Sequence, residues 1–312
     1  MKPLLIVLMI LGDVLASHVY AGVPRNLEYP TSIPNADEVA RQVYFVNHFY
    51  AFSRFSIDRH PKGLAIIVNA APGKRPRKLL IERHINNAIH DGIVKSREIA
   101  IVREGKDRST GMLIVEYEDD NRPHDHYVWL PTLRKVKRFS QPAYAESWAG
   151  THFTYGDLTL RKPEHETHKI LGVTQFNACL QALRVPTPDV ELARVLPEPS
   201  CQAKDRDVYL LKSSRRESGW WYDYRISYVD TLTYADYRTE FFKDGRKIKV
   251  IDRDWRTMGM EDPRVQYWSY AYVKDLRDQH ESEIIVPRGT LKYDHDKDPG
   301  FWSLKTLRQL NR

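Results

Sequence analysis

Two histidine pairs in this sequence have spacings that suit metal ligands. His124-Asp125-His126 places two imidazoles two residues apart, on one face of an extended strand. His165-Glu166-Thr167-His168 reads H-E-x-H, one residue short of the helical H-E-x-x-H zinc motif. On a helix its imidazoles do not share a face. Neither pair has an evident third ligand, so no metal site and no cofactor are expected. Signatures of catalysis are missing too: no G-x-S-x-G elbow, no Walker loop and no G-x-G-x-x-G occur. Acidic pairs such as Asp119-Asp120 fall in a turn, and nothing sets a nucleophile beside a base. The reading is a protein without catalytic residues.

Composition fits a folded, exported chain. Of 312 residues, 42% are hydrophobic and 29% charged, which excludes wholesale disorder. The net charge is +7, and the mean hydropathy of −0.55 excludes a polytopic membrane protein. The one long apolar run, Leu4–Leu11, follows Lys2 and is interrupted at Asp13. It is too short to span a hydrocarbon core of about 30 Å. Small residues follow at Ala16 and Ala21, so residues 1–21 read as a cleavable signal peptide, cut after one or the other. No cysteine lies near that site, which predicts a periplasmic protein without a lipid anchor. The two cysteines, Cys179 and Cys201, flank a proline-rich loop. In an exported chain a disulfide between them is expected, worth about 3 kcal/mol in the chain-entropy picture.

The elements that must position any site are mostly strands. Asn35 suits a helix cap, with Glu38 three residues on, and Val39, Val43, Val46 and Tyr50 recur on one helical face. Beyond this the period changes to two. A dozen strand candidates run from Leu64–Val68 to Glu281–Val286, and Asp244-Gly245 marks a hairpin. So many strands with little helix between them predict one antiparallel sheet, strongly curved or nearly closed, in a single domain over 22–312. Tyr222, Tyr224, Ile226 and Tyr228 share one strand face, as do Trp268, Tyr270 and Tyr272. These rows read either as ordinary core or as the wall of an apolar cavity. Two basic clusters, Lys74-Arg75-Pro76-Arg77-Lys78 and Arg134-Lys135-Val136-Lys137-Arg138, would suit nucleic acid in a cytoplasmic chain. On an exported chain an anionic membrane surface suits them better, and so does a solvated strand edge. No nucleic-acid partner is expected.

The stretch from Gly111 to Leu158 carries a resemblance. It contains His126-Tyr127-Val128-Trp129-Leu130-Pro131-Thr132-Leu133-Arg134-Lys135-Val136-Lys137-Arg138-Phe139, then Gly150-Thr151-His152-Phe153-Thr154-Tyr155-Gly156-Asp157-Leu158. This closely resembles the outer-membrane lipoprotein-sorting (LolA-like) domain family. The helix over 37–46, Tyr224–Tyr228 and the ending Asp298-Pro299-Gly300-Phe301-Trp302-Ser303-Leu304 fit as well. His152 stands where the family often has a small or acidic residue, and the loop from Asn177 to Arg206 is longer than usual. The resemblance implies an incomplete antiparallel β-barrel with a few helices, wrapped around an apolar cavity. It implies a non-enzymatic periplasmic carrier for a lipid or an acylated protein. The alternative is a periplasmic accessory to an inner-membrane transporter, without cargo of its own. Alternation puts Tyr127 and Trp129 on one strand face. With Trp148, Phe153 and Tyr155 from the motif, they are the residues expected to line the cavity.

Overall fold

The computed structural model describes residues 22–58, 64–185, 190–287 and 289–309. The Leu4–Leu11 run and its cleavage sites at Ala16 and Ala21 lie outside the described residues. Asn35 caps helix α1 (Ala36–Asn47), its Oδ1 accepting from the Glu38 backbone N–H at 2.9 Å. Val39, Val43, Val46 and Tyr50 are buried, as their spacing predicts. Strands follow: β1 (Arg54–Ile57), β2 (Ala65–Ala70), β3 (Arg77–Asn86), β4 (Val94–Glu104), β5 (Gly111–Tyr117), β6 (Asp125–Leu130) and β7 (Lys135–Phe139). A one-turn helix α2 (Tyr155–Leu158) and β8 (Glu166–Gln175) lead to a loop that holds α3 (Val190–Ala193). Then come β9 (Asp207–Arg215), β10 (Tyr224–Asp230), β11 (Asp236–Lys243), β12 (Arg246–Thr257), β13 (Gln266–Asp275), β14 (Glu281–Ile285) and β15 (Leu291–Tyr293). The last helix is α4 (Leu304–Gln309). Among the described residues strands take 42% and helices 11%, a mainly-β composition.

All strand pairs are antiparallel, in the order β7-β6-β5-β4-β3-β2-β14-β13-β12-β11-β10-β9-β8. Two meanders are thus joined along one seam, where Ile67 faces Ile284. Strand β1 takes over from β2 along the second half of β3, and β15 pairs with it. The end strands β7 and β8 do not pair with each other, so the barrel is incomplete. The sheet nevertheless curls. Helix α1 packs on β8 and β9, while Tyr50, just after it, donates to Glu116 of β5 at 2.8 Å. One short segment touches strands toward both ends of the sheet only if the sheet wraps around it. At the predicted hairpin, Asp244 and Gly245 adopt φ of 49° and 72°, the left-handed pair that a two-residue turn requires.

Both faces of the sheet are covered over part of their area, and the end strands β7 and β8 stay largely exposed. The inner face packs on α1, on the turn after it and on the segment from Tyr144 to Leu160. The outer face has two covers. Over β11–β14 lies the cysteine loop, closed by the Cys179–Cys201 disulfide. Its Gln181 N–H donates to Asp252 at 2.7 Å and its Ser200 N–H to Tyr270 Oη at 3.1 Å. Beneath it Glu283 is fully buried, with neither carboxyl oxygen hydrogen-bonded. Over β4–β7 lies the C-terminal segment, whose Trp302 and Leu307 pack against Ile99, Ile101, Leu113 and Trp129. Trp302 Nε1 also donates to the His84 carbonyl at 3.0 Å. Trp302→Phe keeps an aromatic ring but removes the indole donor to that carbonyl. A loss of about 0.5–1.5 kcal/mol in urea unfolding is expected from the bond itself; an unchanged midpoint would show that the bond contributes nothing.

Candidate functional site: an apolar pocket under a polar-anchored roof

On the inner face, three alanines leave a gap among bulky neighbours. Ala65, Ala100 and Ala271 lie on β2, β4 and β13, where Ile67, Ile81, Ile114, Trp268 and Ile284 fill the adjacent positions. Phe49, in the turn after α1, closes one side. Trp148, Tyr155 and Leu158 form a roof. The enclosed space is ≈ 90 Å³, room for about three waters at liquid density. Its walls hold four charged groups, each in an ion pair. Arg83 grips Glu98 through two bonds of 2.6 and 2.9 Å, Arg253 binds Asp236 at 2.6 Å, and Asp157 pairs with Lys249. The rest of the lining is mainly apolar, and Asp157 Oδ1 is the one carboxylate oxygen of this set left without a hydrogen bond.

Local sequence explains the roof. Asp157 reaches back to the start of α2, with the Thr154 N–H donating to Asp157 Oδ2 at 2.6 Å. The hairpin before it is tied by Trp148 N–H to the Phe153 carbonyl at 2.9 Å. Polar bonds then anchor the roof to the sheet. Lys249 pairs with Asp157, Arg253 donates to the Asp157 carbonyl at 2.8 Å, and the His152 N–H donates to Ser282 Oγ at 3.0 Å. At the far side Tyr155 Oη stands 3.1 Å from His124 Nδ1 and 3.5 Å from His126 Nε2. Burial, helped by His124, pushes the His126 imidazole down to about 4, so it is neutral at pH 7. Behind these rings Glu116 accepts from Tyr50 and from Ser96 at 2.7 Å. Burial opposes its charge, but His124, His48 and Lys95 hold its carboxyl down to about 2.

The five residues expected to line a cavity separate into two groups. Trp148 and Tyr155 line the pocket, and Phe153 is fully buried in the main core. Tyr127 and Trp129 lie on the opposite face of β6, in the smaller cluster with Trp302 and Leu307. The pocket is instead walled by Phe49, Ile67 and Ile284, which the sequence did not single out, and by Trp268, from a row that read as core or as cavity wall. The signal was the set of small residues at 65, 100 and 271, in strands otherwise rich in isoleucine and aromatics. The histidine motifs serve structure. His168 Nε2 donates to the Pro163 carbonyl at 2.8 Å and Nδ1 accepts from Ser213. Glu166 is fully buried and holds Arg225 at 2.7 Å.

A second depression, of ≈ 770 Å³ and open to solvent, borders the bulge at Asp254 and Trp255. Its rim mixes Tyr267 and Met258 with Arg206 and Arg256, and both arginines are ion-paired, with Asp230 and Asp254. It offers a wet polar surface rather than an apolar shelter.

A long antiparallel sheet, curled but unclosed, with a helix inside it and an apolar pocket against its inner face, defines a LolA-like fold, as comparison with solved structures shows. The chain is similar to a structure described as an outer membrane lipoprotein-sorting protein domain from Vibrio parahaemolyticus, with a TM-score of 0.62 and 14% identity over 88% of this chain and 98% of that one. It is similar to a DUF1329 family protein from Desulfovibrio piger, with a TM-score of 0.62 and 13% identity over 88% and 99%. A LolA superfamily protein from Nitrosomonas europaea aligns over the same shares, with a TM-score of 0.51 and 13% identity. At such identities the likeness is one of fold. A family model described as "Uncharacterized protein" matches residues 95–195, the stretch holding most of β4, all of β5–β8 and the roof. No curated protein matches the sequence.

Proposed function

We propose that this chain is a non-enzymatic periplasmic carrier, a single domain from residue 22 onward, that shields an acyl chain of a lipid or of an acylated protein. The observation that carries this reading is the apolar pocket against the inner face, roofed by a segment whose ties to the sheet include several polar bonds. A roof tied in part by ion pairs and hydrogen bonds can lift at modest cost, since water replaces much of what those bonds supply. At ≈ 90 Å³ the pocket is smaller than the about 300–1,000 Å³ of ordinary ligand sites, so the carrier reading requires it to open. Lifting Trp148 and Leu158 would join it to the rest of the inner face. Burial of about fifteen methylenes then yields roughly 12 kcal/mol before ordering costs. The basic edge strand β7, with Lys135 and Lys137, supports approach to an anionic membrane surface.

An acyl-chain fluorescent probe is expected to bind with micromolar affinity or better. Ala100→Phe fills the gap, and the affinity is expected to fall by about tenfold, the worth of roughly two buried methylenes. Trp148→Glu, at the roof, is expected to weaken binding without the risk of overpacking the floor. No probe binding by a folded protein would sink the carrier reading. The small closed volume favours one rival specifically: an accessory protein of an inner-membrane transporter that carries nothing. Co-purification with such a transporter, together with no probe binding, would establish it.

A further inference from the structure

The roof begins in a tight hairpin, Ser147–Thr154, and its tip meets the turn that joins β13 to β14. At the meeting point stand His152 on one side and Asp278 and His280 on the other. One ligand-capable atom from each lies within 4.8 Å of the other two. The two imidazoles stack with centroids 4.7 Å apart and 17° between their planes, and Asp278 Oδ2 lies 2.8 Å from His280 Nδ1. We propose that His152, Asp278 and His280 bind a divalent transition-metal ion of the zinc type, and that the bound ion latches the roof to the β13–β14 turn.

The ligand chemistry supports this. Two imidazoles and one carboxylate make a three-ligand zinc set that leaves a fourth position for water. With bonds of about 2.0–2.2 Å, tetrahedral donors stand roughly 3.3 Å apart. Reaching that spacing from 4.8 Å requires the stacked imidazoles to turn until a nitrogen of each faces the ion. The backbones on both sides are already fixed. His152 N–H donates to Ser282 Oγ at 3.0 Å, and Ser282 Oγ donates in turn to Asn69. Across the gap, the Asp275 N–H donates to the His280 carbonyl at 3.0 Å and the His280 N–H to Asp278 Oδ1 at 3.0 Å. The neighbouring charges are occupied: Asp275 pairs with Arg277 and Lys249 with Asp157. Asp278 is exposed and both histidines are half-buried, so an ion can reach them from solution. The three residues are remote in sequence and form no local motif, so adjacent histidine pairs gave no hint of them.

The latch, though not the metal site, rests on reading the 144–160 segment as a roof. The experiment uses tag-free mature protein and ZnCl2 in calorimetry, with Co2+ as a spectroscopic probe. One equivalent of zinc is expected to bind with micromolar affinity or tighter, and cobalt to give the visible bands of a tetrahedral site. His152→Ala and His280→Ala are each expected to weaken binding by about tenfold or more and to abolish those bands. Zinc is also expected to slow amide exchange over residues 147–155. Absence of one-to-one binding, or binding undiminished in His152→Ala, would overturn the site. Unchanged exchange in the zinc-loaded protein would overturn the latch. Acyl-probe binding enters none of these measurements, so failure of the carrier reading gives a different result from failure of the metal site.

Discussion

Glu283→Gln is expected to remove a loss of stability that the wild-type protein suffers as pH rises from about 4.5 toward 9. Glu283 lies on β14 beneath the cysteine loop and is fully buried. Burial pushes its carboxyl up to about 9; the Leu183 backbone N–H opposes this, and Glu281 adds to it by less. The Leu183 N–H approaches without meeting hydrogen-bond geometry, and both oxygens stay unpartnered. Below pH 4.5 both folded and unfolded chains hold the proton, and its contribution to stability is fully present. Above 4.5 the unfolded chain releases the proton while the folded chain keeps it, so stability falls by about 1.4 kcal/mol per pH unit. The loss reaches about 3 kcal/mol at pH 7, roughly 6 kcal/mol at pH 9, and then levels off. Urea unfolding at several pH values measures it directly. A wild-type stability that does not fall between pH 5 and 8 relative to Glu283→Gln would show that the carboxyl ionises in place.

Asp236→Ala is expected to cost about 3–5 kcal/mol, because it leaves a buried cation without its partner. Asp236 Oδ2 binds Arg253 at 2.6 Å, while Oδ1 accepts from Asn47 at 3.0 Å and from Trp255 Nε1 at 3.3 Å. This one carboxylate joins the end of α1 to β11 and β12, next to the pocket wall. Asp236→Asn retains an acceptor at Oδ1 and is expected to lose less. Thermal and urea unfolding of both variants check this; a loss below 1 kcal/mol in Asp236→Ala would mean that water reaches Arg253 and replaces the carboxylate.

How much of this was legible in the sequence depended on whether one face or two were buried. Helix α1 was legible because its cap and its valine spacing act locally, and the Asp244-Gly245 turn because few other pairs accept φ > 0 twice. Strand β8 was not recognised. It alternates Thr167, Lys169 and Leu171 with His168 and Ile170 and stays largely exposed at the sheet's end, so it gives little apolar signal. The short β1 and β15 were missed as well; each is held by its neighbours rather than by its own pattern. On β6 alternation grouped Tyr127 with Trp129, but it could not say which way they point. Trp302 and Leu307 arrive from the far end of the chain and cover the face that would otherwise meet solvent. An aromatic row then fits either side. The pocket was hidden for a related reason: an alanine in a strand does not show that its cross-strand neighbours leave space around it. The disulfide was legible, since an expected export and an even cysteine count both pointed to it, and Cys179 and Cys201 are bonded to each other.

The seam between β2 and β14 governs the order in which this molecule can assemble. The other ladders of the two meanders join strands that follow one another in the chain, and each can form soon after its second strand is made. The seam cannot, because Ile67 must wait for Ile284. Until residues 281–285 are present, β2 is a bare apolar edge in the middle of what will become one sheet, open to pairing with another nascent chain. Joining two half-sheets across such a sequence separation is slow on contact-order grounds. Passage from half-sheets to whole sheet is therefore the interval in which the protein most needs shelter itself, and a holding chaperone that shields the 65–70 edge would act where the hazard lies.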